Sequence, residues 1–378
     1  MPVTLIVEPD PNGHRYQAVA NVARLAAAEG DELVLVTLNG ARERAEFANF
    51  LADLPLEVDD RFAEILPPTT ELVAAIAEQC RAKDVRRIVL LDADQALKRW
   101  WYLAPRALRG LRRRPRVVFM LTRYPAKLRL TDKFGWRLRL TKGVLALAAM
   151  ATGTLHRVSG FAGREDLNRG WLVKRARDPA ICSAHSRDRA AIRTELGLPA
   201  DRPIVGIFGV ISDRKNAPFV LDAIAASGVD ADLLLGGSVR PDAADWLAGL
   251  SPGQRARVLV DDGFHPDEHL DRLVAASDVA AIALTNNGPS GIMGKALAAG
   301  VPVVTAGSLV RAQELAGTNG GLACELTVPS FGAALRRVLT GEWTMGPQDG
   351  PPATAEAFAA AVLGVDARVA VPSAGRAG

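Results

Sequence analysis

The sequence predicts an α/β protein with two doubly wound domains, each a parallel sheet covered by helices. Short, nearly continuous apolar runs, such as those at 3–7 and 279–284, alternate with helical patterns along the chain. Runs of this kind are typical of strands that are buried on both faces. The length of 378 residues exceeds that of one typical core and indicates two domains.

The domain boundaries follow from changes in composition. The stretch 174–179 is basic, ends in proline and leads to a new helical pattern, so we interpret it as the exit from the first domain. Beyond residue 340 glycine and proline are frequent, and an alanine-rich helix is predicted from about 354 to 363. We therefore predict domains at 1–178 and 179–345, and then a linker, this helix and a flexible tail over 346–378.

The composition is that of a soluble globular protein, with 49% hydrophobic and 23% charged residues. No run of about 18 apolar residues is present, and the N-terminus lacks the charged-then-apolar arrangement of a signal peptide. We therefore expect a cytoplasmic protein. Cys80, Cys182 and Cys324 are isolated in sequence, so we expect structural cysteines and neither a disulfide framework nor a cysteine zinc site.

A polar loop follows the first predicted strand and leads into a helix over about 16–29. Gly13 would let a ligand approach the backbone, and His14 and Arg15 would stand at the carboxyl edge of the sheet. A lone histidine in a polar loop is also commonly only solvated, so both interpretations stay open. The loop lacks a G-x-G-x-x-G pattern, and a dinucleotide fingerprint is therefore not supported.

Two carboxylates, Asp92 and Asp94, come at the end of an apolar strand pattern at 87–91. Carboxylates one residue apart point the same way on a strand and could bind a divalent metal or the hydroxyls of an acceptor. A plain turn at the end of the strand is the third interpretation, and the spacing alone does not decide among them.

Charge is distributed unevenly along the chain. The net charge is +4, but residues 98–142 contain fifteen Lys or Arg and one acid, Asp132, so this segment carries +14 and the remaining residues together −10. After Arg123 its cations are mixed with leucine, phenylalanine and tryptophan, as in surfaces that lie among lipid headgroups. A solvated helix face is the alternative. We favour a surface that attracts anions, with an anionic membrane as one target; no recognised nucleic-acid-binding module is present.

In the second domain, the adjacent cations Arg214 and Lys215 come just after a predicted strand that contains Gly209. They are placed to neutralise a diphosphate, which needs fixed positive charge as its bond to a sugar breaks. Further along, the loop with Phe264 and His265 precedes a helix and could receive a nucleotide base. A polar loop with solvated cations, and a simple helix cap, are the respective alternatives.

The stretch 278–306 predicts a strand, a glycine-rich turn, a helix over about 292–299 and another strand. The turn at 286–291 combines asparagine, glycine and proline with Ser290, which has N-cap character. A helix that starts at the carboxyl end of a parallel strand presents unpaired N–H groups and its positive dipole end, which suit a diphosphate. An ordinary strand-helix-strand connection without a ligand is equally compatible.

Five segments in order resemble the nucleotide-sugar glycosyltransferases of the GT-B type, most closely the retaining enzymes of glycosyltransferase family 4. The segments are PNGHR, GVISDRKN, LLLGG, GFHPDEHL and NNGPSGIMGKALAAGVPVV, and the resemblance covers most of residues 1–340. It implies the GT-B fold, with two Rossmann-like domains facing a cleft, the first binding the acceptor and the second the nucleotide sugar. It also implies that the last helix crosses back onto the first domain.

The resemblance assigns roles in the second domain. It places Arg214 and Lys215 at the donor diphosphate, residues 288–291 at the sugar and phosphates, and the loop around Phe264 and His265 at the base.

One departure from the family pattern concerns two glutamates that commonly stand eight residues apart. Here Asn287 and Lys295 take their places. Asn287 can still bond a sugar hydroxyl, whereas Lys295 offers the ribose no acceptor and would add positive charge near the phosphates. The departure fits a variant that binds phosphate more strongly, which we favour, or a protein that has lost transfer activity.

We therefore predict a cytoplasmic glycosyltransferase, peripheral at the inner membrane surface, that moves a sugar from a UDP or GDP sugar to an acceptor hydroxyl with retention. The expected acceptor is a glycan, a lipid-linked molecule or a small molecule. The basic segment suggests either an anionic acceptor or a lipid-linked one that is reached at the inner membrane surface, and no metal or other cofactor is expected. The alternatives are a catalytically silent nucleotide- or glycan-binding adaptor and, with less support, an epimerase. The predicted catalytic residues are Arg214, Lys215 and His14; the donor residues are Gly209, Phe264, His265, Asn287, Gly288, Ser290, Gly291 and Lys295; the acceptor residues are Gly13, Arg15, Asp92, Asp94 and Arg123.

Overall fold

A computed structural model describes residues 1–11, 14–125, 128, 130–284, 290–346 and 353–365, and of His14 only the backbone. The chain forms two compact units. The first unit comprises Met1–Phe161, Asn168–Ala176 and Ala355–Gly378, and the second comprises Ala162–Leu167 and Arg177–Thr354.

The first unit is built on a seven-stranded sheet in the order β3-β2-β1-β4-β5-β6-β7, and its pairs from β3 to β6 are parallel. Its strands are β1 (Val3–Val7), β2 (Glu32–Leu38), β3 (Leu56–Phe62), β4 (Val85–Leu90), β5 (Arg116–Leu121), β6 (Arg157–Ala162) and β7 (Val173–Arg177). The helices between them are α1 (His14–Ala28), α2 (Ala45–Phe50), α3 (Thr69–Ala82), α4 (Leu97–Ala107) and α5 (Lys133–Ala151).

The second unit repeats this arrangement with six parallel strands in the order β10-β9-β8-β11-β12-β13. Its strands are β8 (Ile204–Phe208), β9 (Asp232–Gly237), β10 (Val258–Asp262), β11 (Val279–Ala283), β12 (Val303–Ala306) and β13 (Gly321–Cys324). Its helices are α6 (Arg189–Leu196), α7 (Ala217–Ser227), α8 (Pro241–Ala248), α9 (Pro252–Arg255), α10 (Asp267–Ala276), α11 (Gly291–Ala298), α12 (Leu309–Thr318) and α13 (Val328–Leu339).

Each sheet is doubly wound. The chain adds strands on one side of the first strand, and then crosses back and adds the remaining strands on the other side of that strand. The switch point lies between β1 and β4 in the first unit and between β8 and β11 in the second. Ligands of such sheets bind outside the carboxyl ends of the strands at this point. In the first unit Val7 stands opposite Val36 of β2 and Leu90 of β4, so the residues that follow these strands share one edge.

Apolar packing on both faces explains why the central strands are continuously apolar. Leu5 and Val7 join a core with α3 and α4 on one face of the first sheet, whereas Ile6 points to the other face and packs with Tyr16 of α1. All five residues of β1, β8 and β11 are buried. The predicted pair of doubly wound sheets is therefore confirmed.

A final helix, α14 (Ala355–Leu363), belongs to the first unit and covers the face of the sheet beside α1. Phe358 stacks on Phe161 with ring centroids 5.7 Å apart, and Nε of Arg157 donates to the carbonyl of Ala361 at 2.8 Å. The helix agrees with the predicted span to within one residue at its start.

Two strands differ from the sequence-based expectation. The strand β3 was not predicted, because it is an edge strand with polar residues and only Phe62 is fully buried. The pattern at 154–158 predicts a strand from residue 154, but strand β6 begins at Arg157, and the carbonyl of Thr154 accepts a hydrogen bond from Nε1 of Trp100 at 3.0 Å instead of joining the ladder. The stretch 174–179, predicted as the exit from the first domain, includes the end of strand β7, and the second unit continues from Arg177 within it.

The three cysteines are free and half-buried, and burial raises the pKa of each thiol to about 11, as expected for structural residues. Of the helices within the described ranges, none is both long and apolar enough to cross a bilayer.

Gly237, at the end of β9, packs directly against the backbone of Gly209, which follows β8. Its φ is +130°, and a Cβ there would lie 2.1 Å from the carbonyl oxygen of Gly209. We expect Gly237→Ala to lower the free energy of unfolding by about 3 kcal/mol, because backbone strain and overpacking each cost about 1–3 kcal/mol. Urea unfolding monitored by circular dichroism measures this loss.

The matched control is Gly228→Ala, since Gly228 also has positive φ, +72°, but nothing lies within 4 Å of its added Cβ. We expect Gly228→Ala to lower the free energy of unfolding by about 1–2 kcal/mol, which is the cost of the left-handed backbone alone. Equal losses in the two variants would show that the contact with Gly209 does not constrain the sheet.

Candidate functional site

Lys215 lies over the carboxyl end of β8, at the switch point of the second sheet. Gly209 follows β8 with φ +93°, and the chain then reaches a 3₁₀ turn that contains Arg214 and Lys215. A Cβ on Gly209 would stand 3.8 Å from Nζ of Lys215, so the ammonium lies beside the strand end. Arg214 is exposed on the same turn. The two predicted cations therefore lie at this edge of the sheet.

The ammonium of Lys215 is short of negative charge. Burial, together with the positive charges of Arg214 and Arg311, lowers the pKa of Lys215 to about 8. Within the described ranges, no carboxylate or other acceptor bonds its Nζ. A half-buried cation without a counter-charge favours the binding of an anion, because attraction between the two charges would compensate for the solvation that the cation loses on burial.

Arg311 was missed by the sequence analysis. It is fully buried on α12, and its guanidinium donates to the carbonyls of Leu284 and Ala306 and to Oγ1 of Thr305. It therefore ties the end of β11 to β12. Burial lowers the pKa of Arg311 to about 10. No pattern in the sequence distinguishes this arginine from a solvated one, because its acceptors are backbone carbonyls of distant strands.

The start of α11 is held by a second buried arginine. Oγ of Ser290 accepts a hydrogen bond from the backbone N–H of Met293 at 3.3 Å, which confirms the predicted N-cap. Nη2 of Arg164 donates to the carbonyl of Ser290 at 3.3 Å, and its guanidinium is paired with Glu314 and Asp178 at 2.6 and 2.7 Å. Arg164 therefore orients the first turn of α11, where Gly291 lies.

Glycine at position 294 is required by the same arginine. A Cβ at Gly294 would stand 2.2 Å from Nη2 of Arg164, so a side chain there would displace the guanidinium. The predicted donor residues Asn287 and Gly288 lie outside the described residues.

Lys295 has a different environment from the one expected. Its side chain is buried, and its Nζ is 2.6 Å from Asp271 and 3.3 Å from Asp267, both on α10. Burial lowers the pKa of Lys295, but the two carboxylates outweigh it and the pKa is raised. The lysine is thus neutralised within the unit and joins α11 to α10, and the idea that it adds net positive charge for phosphates is not supported by these contacts.

The loop after β10 presents an aromatic ring. Gly263 has φ +144°, Phe264 is 49% exposed, and the side chain of His265 turns back so that Nε2 is 2.8 Å from the carboxylate of Asp261. Phe264 could therefore stack on a base, whereas the imidazole of His265 is engaged within the loop.

In the first unit, the switch point holds a cluster of charged groups around Arg15. Its guanidinium is 2.8 Å from Asp92 and 3.8 Å from Glu8, and Asp10 is 3.9 Å away. Glu8 was not predicted as a site residue, yet it is fully buried, and burial raises its pKa to about 8. The backbone of His14 begins α1 beside this cluster, while Gly13 lies outside the described residues.

Asp92 and Asp94 do point to the same place, since Oγ1 of Thr122 lies within hydrogen-bonding distance of both carboxylates, but Asp94 is not free to bind a ligand. Both residues follow β4 in a turn, and Asp94 is paired with Lys142 and accepts from the backbone N–H and Oγ1 of Thr122, each at 2.8 Å. Burial raises the pKa of Asp94, but these partners outweigh it and the pKa is lowered. Asp94 thus fixes the turn after β5, where the side chain of Arg123 is exposed.

Lys142 is accordingly buried and does not belong to an anion-attracting surface, which corrects the expectation for this one residue.

Exposed apolar residues do accompany the remaining cations on α5 and just before it. We call this set the apolar-basic surface. It consists of Leu130, Lys133, Phe134, Trp136, Arg137, Arg139, Leu140, Val144 and Leu147.

Residues 202–341 match the family described as glycosyl transferases group 1. A D-inositol 3-phosphate glycosyltransferase of Xylanimonas cellulosilytica is 34% identical over 125 residues, which are 31% of this chain and 29% of that protein. The chain therefore aligns with less than a third of the length of this curated relative.

Two solved structures match nearly the whole chain. HepE of Anabaena, in complex with UDP and glucose, is 19% identical with a TM-score of 0.58, over 96% of this chain and 94% of that one. Sucrose-phosphate synthase of Thermosynechococcus elongatus is 16% identical with a TM-score of 0.58, over 97% and 95%. This chain has the GT-B fold. The predicted resemblance to GT-B glycosyltransferases is confirmed, and family 4 is consistent with these matches.

In this protein of GT-B fold, we expect the ion pair between Lys295 and Asp271 to stabilise the folded state. We expect Lys295→Met to lower the free energy of unfolding by about 3–5 kcal/mol, because it leaves a buried carboxylate without its cation. Chemical denaturation of the two proteins measures the difference.

The double variant Lys295→Met with Asp271→Asn should recover part of the loss, because the amide keeps an acceptor for the N–H of Ser183, which bonds Asp271 at 2.7 Å. A loss below about 1 kcal/mol in the single variant would be the value of an exposed pair and would contradict the buried one.

Proposed function

We propose that the protein is a glycosyltransferase that moves a sugar from a UDP or GDP sugar to an acceptor hydroxyl, with retention of configuration and without a metal. The observation that carries this proposal is the uncompensated ammonium of Lys215 beside Gly209, at the switch point of the second sheet. It lies within the region that matches the glycosyl transferases group 1. A UDP sugar is favoured because the Anabaena neighbour binds UDP.

In the proposed reaction, the charges of Lys215 and Arg214 and the first N–H groups of α11 stabilise the diphosphate as its bond to the sugar breaks. The acceptor oxygen forms its bond to the anomeric carbon from the face that the diphosphate leaves. Its proton passes to the departing phosphate oxygen, so no side-chain nucleophile is needed. Arg311 and Arg164 act as positioning residues, because they fix the end of β11 and the cap of α11.

The first unit is proposed to bind the acceptor at the edge where Arg15 and Asp92 meet, with His14 beside it. Glu8 adds a buried carboxyl there whose raised pKa keeps a large neutral fraction near pH 7. A neutral carboxyl can donate a hydrogen bond as well as accept one, which suits recognition of a hydroxyl.

Nucleotide binding tests the donor site directly. We expect Lys215→Met to raise the Kd for UDP or GDP by about 10–100-fold, since a hydrogen bond to a charged group is worth about 1.5–3 kcal/mol. Isothermal titration with UDP, GDP and their sugars measures the Kd, and Lys215→Arg should retain most of the affinity. Equal Kd values for wild type and Lys215→Met, or no binding of any nucleotide, would contradict the proposed donor site.

The same titration should depend on pH. Because the free ammonium has a pKa of about 8 and a bound diphosphate would raise it, binding takes up a proton above pH 8. The wild-type affinity should therefore fall as the pH rises past about 8, whereas Lys215→Arg should show no such fall because guanidinium stays charged.

Transfer of radiolabelled sugar to water or to an added acceptor then separates an enzyme from a silent adaptor.

The acceptor is proposed to be anionic or lipid-linked and to be reached from an anionic membrane. Support comes from the apolar-basic surface, where Leu130 is 92% and Phe134 76% exposed, and from the groove that α5 forms with Trp171. The name of the Xylanimonas relative also specifies a phosphorylated acceptor.

Vesicle sedimentation tests the membrane part of this proposal. We expect the protein to pellet with vesicles that contain anionic phospholipid, less so as salt is raised, and the Phe134→Glu/Leu140→Glu variant to bind at least about tenfold more weakly. Leu66→Glu is the matched control, because Leu66 is 57% exposed in the same unit but lies outside the surface. Equal binding to neutral vesicles would contradict the electrostatic attraction.

A further inference from the structure

Three metal-ligating side chains converge on the loop after β10. Asp261, His265 and His269 follow one another at intervals of four residues, and their nearest ligand atoms all lie within 4.8 Å of one another. Nε2 of His265 is 2.8 Å from one carboxylate oxygen of Asp261, and Nε2 of His269 is 3.0 Å from the other. All three residues are half-buried, so solvent can reach the cluster.

The local fold brings these groups together from three different elements. Asp261 stands at the end of β10, His265 lies in the connecting loop, and His269 is in the first turn of α10. The connection needs Gly263, whose φ of +144° is one that other residues rarely adopt. The two imidazole rings lie side by side, with centroids 4.5 Å apart.

This arrangement matches the requirements of a zinc-like cation. Zinc binds imidazole nitrogen and carboxylate oxygen at about 2.0–2.2 Å, which in a tetrahedral site puts neighbouring ligand atoms about 3.3 Å apart. The two Nε2 atoms lie 2.8 and 3.0 Å from different oxygens of Asp261, and the three ligand atoms are within 4.8 Å of one another, so side-chain rotations would bring them to this separation around one metal. On metal binding, the Nε2 proton of each neutral imidazole would move to Nδ1 of the same ring through solvent, which leaves the Nε2 lone pair for the metal.

The charges nearby favour a cation. Asp262 and Glu268 are exposed next to the cluster, while Asp267 is already paired with Lys295. The carboxylates of the loop therefore leave a negative potential around the two histidines, which raises the local concentration of cations.

We propose that Asp261, His265 and His269 form a site for a divalent metal of the zinc class. The three protein ligands leave a fourth position for water or another small ligand, as in open zinc sites. This metal site is separate from the proposed glycosyl transfer. That reaction requires no metal bound to these three residues.

Equilibrium dialysis tests the proposal on the full chain after removal of any affinity tag. The wild type should bind one zinc per chain with micromolar or tighter affinity, and Co²⁺ in its place should give the visible absorption of a tetrahedral site. His269→Ala and Asp261→Asn should each raise the Kd by more than about 100-fold, because even loss of a partner that only orients a ligand commonly costs about 10–100-fold. His185→Ala, on a half-buried histidine of the same unit, is the control and should bind as the wild type does.

Circular dichroism of each variant shows whether it is folded, and the partial exposure of His269 makes its truncation tolerable for the fold. Zinc binding at equal stoichiometry and affinity in wild type and His269→Ala would overturn the proposal, as would a wild type that binds no zinc. Lys215→Met should keep its zinc, so a failure of the metal site and a failure of the nucleotide site are separate results.

Discussion

In both sheets the described strand pairs are parallel and helices cover both faces, so the central strands must be apolar along their length and polar groups can gather only where those strands end. β1, β8 and β11 are each buried at every residue. Glu8 follows the first of these strands and Gly209 the second. The same constraint therefore creates the core and positions the chemistry, and this is why each unit has its candidate residues at one edge of its sheet.

Charge balance then distinguishes structural from functional groups at those edges. Lys142 with Asp94, Lys295 with Asp271 and Arg164 with Glu314 are pairs in which each charge has its counter-charge within the same unit. Such pairs hold turns and helix starts in place but attract no ligand. Lys215 differs, because two other cations face it and its pKa is lowered to about 8. Its position makes it the group that an anionic ligand would satisfy.

Several buried charged residues orient the backbone of the second site. Arg311 holds the end of β11 through backbone carbonyls, and Arg164 holds the carbonyl of Ser290. Neither was predicted, because a buried arginine in a helix or loop has the same sequence pattern as an exposed one. Lys295 was predicted as an additional phosphate contact, since its position in the chain is next to the glycine-rich turn; its two carboxylate partners come from α10, more than twenty residues earlier.

The sequence by itself determined the two doubly wound sheets with their central strands β1, β4, β8 and β11, the N-cap at Ser290 and the helix α14 of the first unit. These features depend on local periodicity, on capping residues and on glycine, all of which act over a few residues. Only the tertiary structure decided which charges are neutralised, that Glu8 is buried, and that Asp261 meets His265 and His269. Those properties depend on side chains brought together by the fold, and a pKa or a ligand set is set by such neighbours rather than by spacing in the chain.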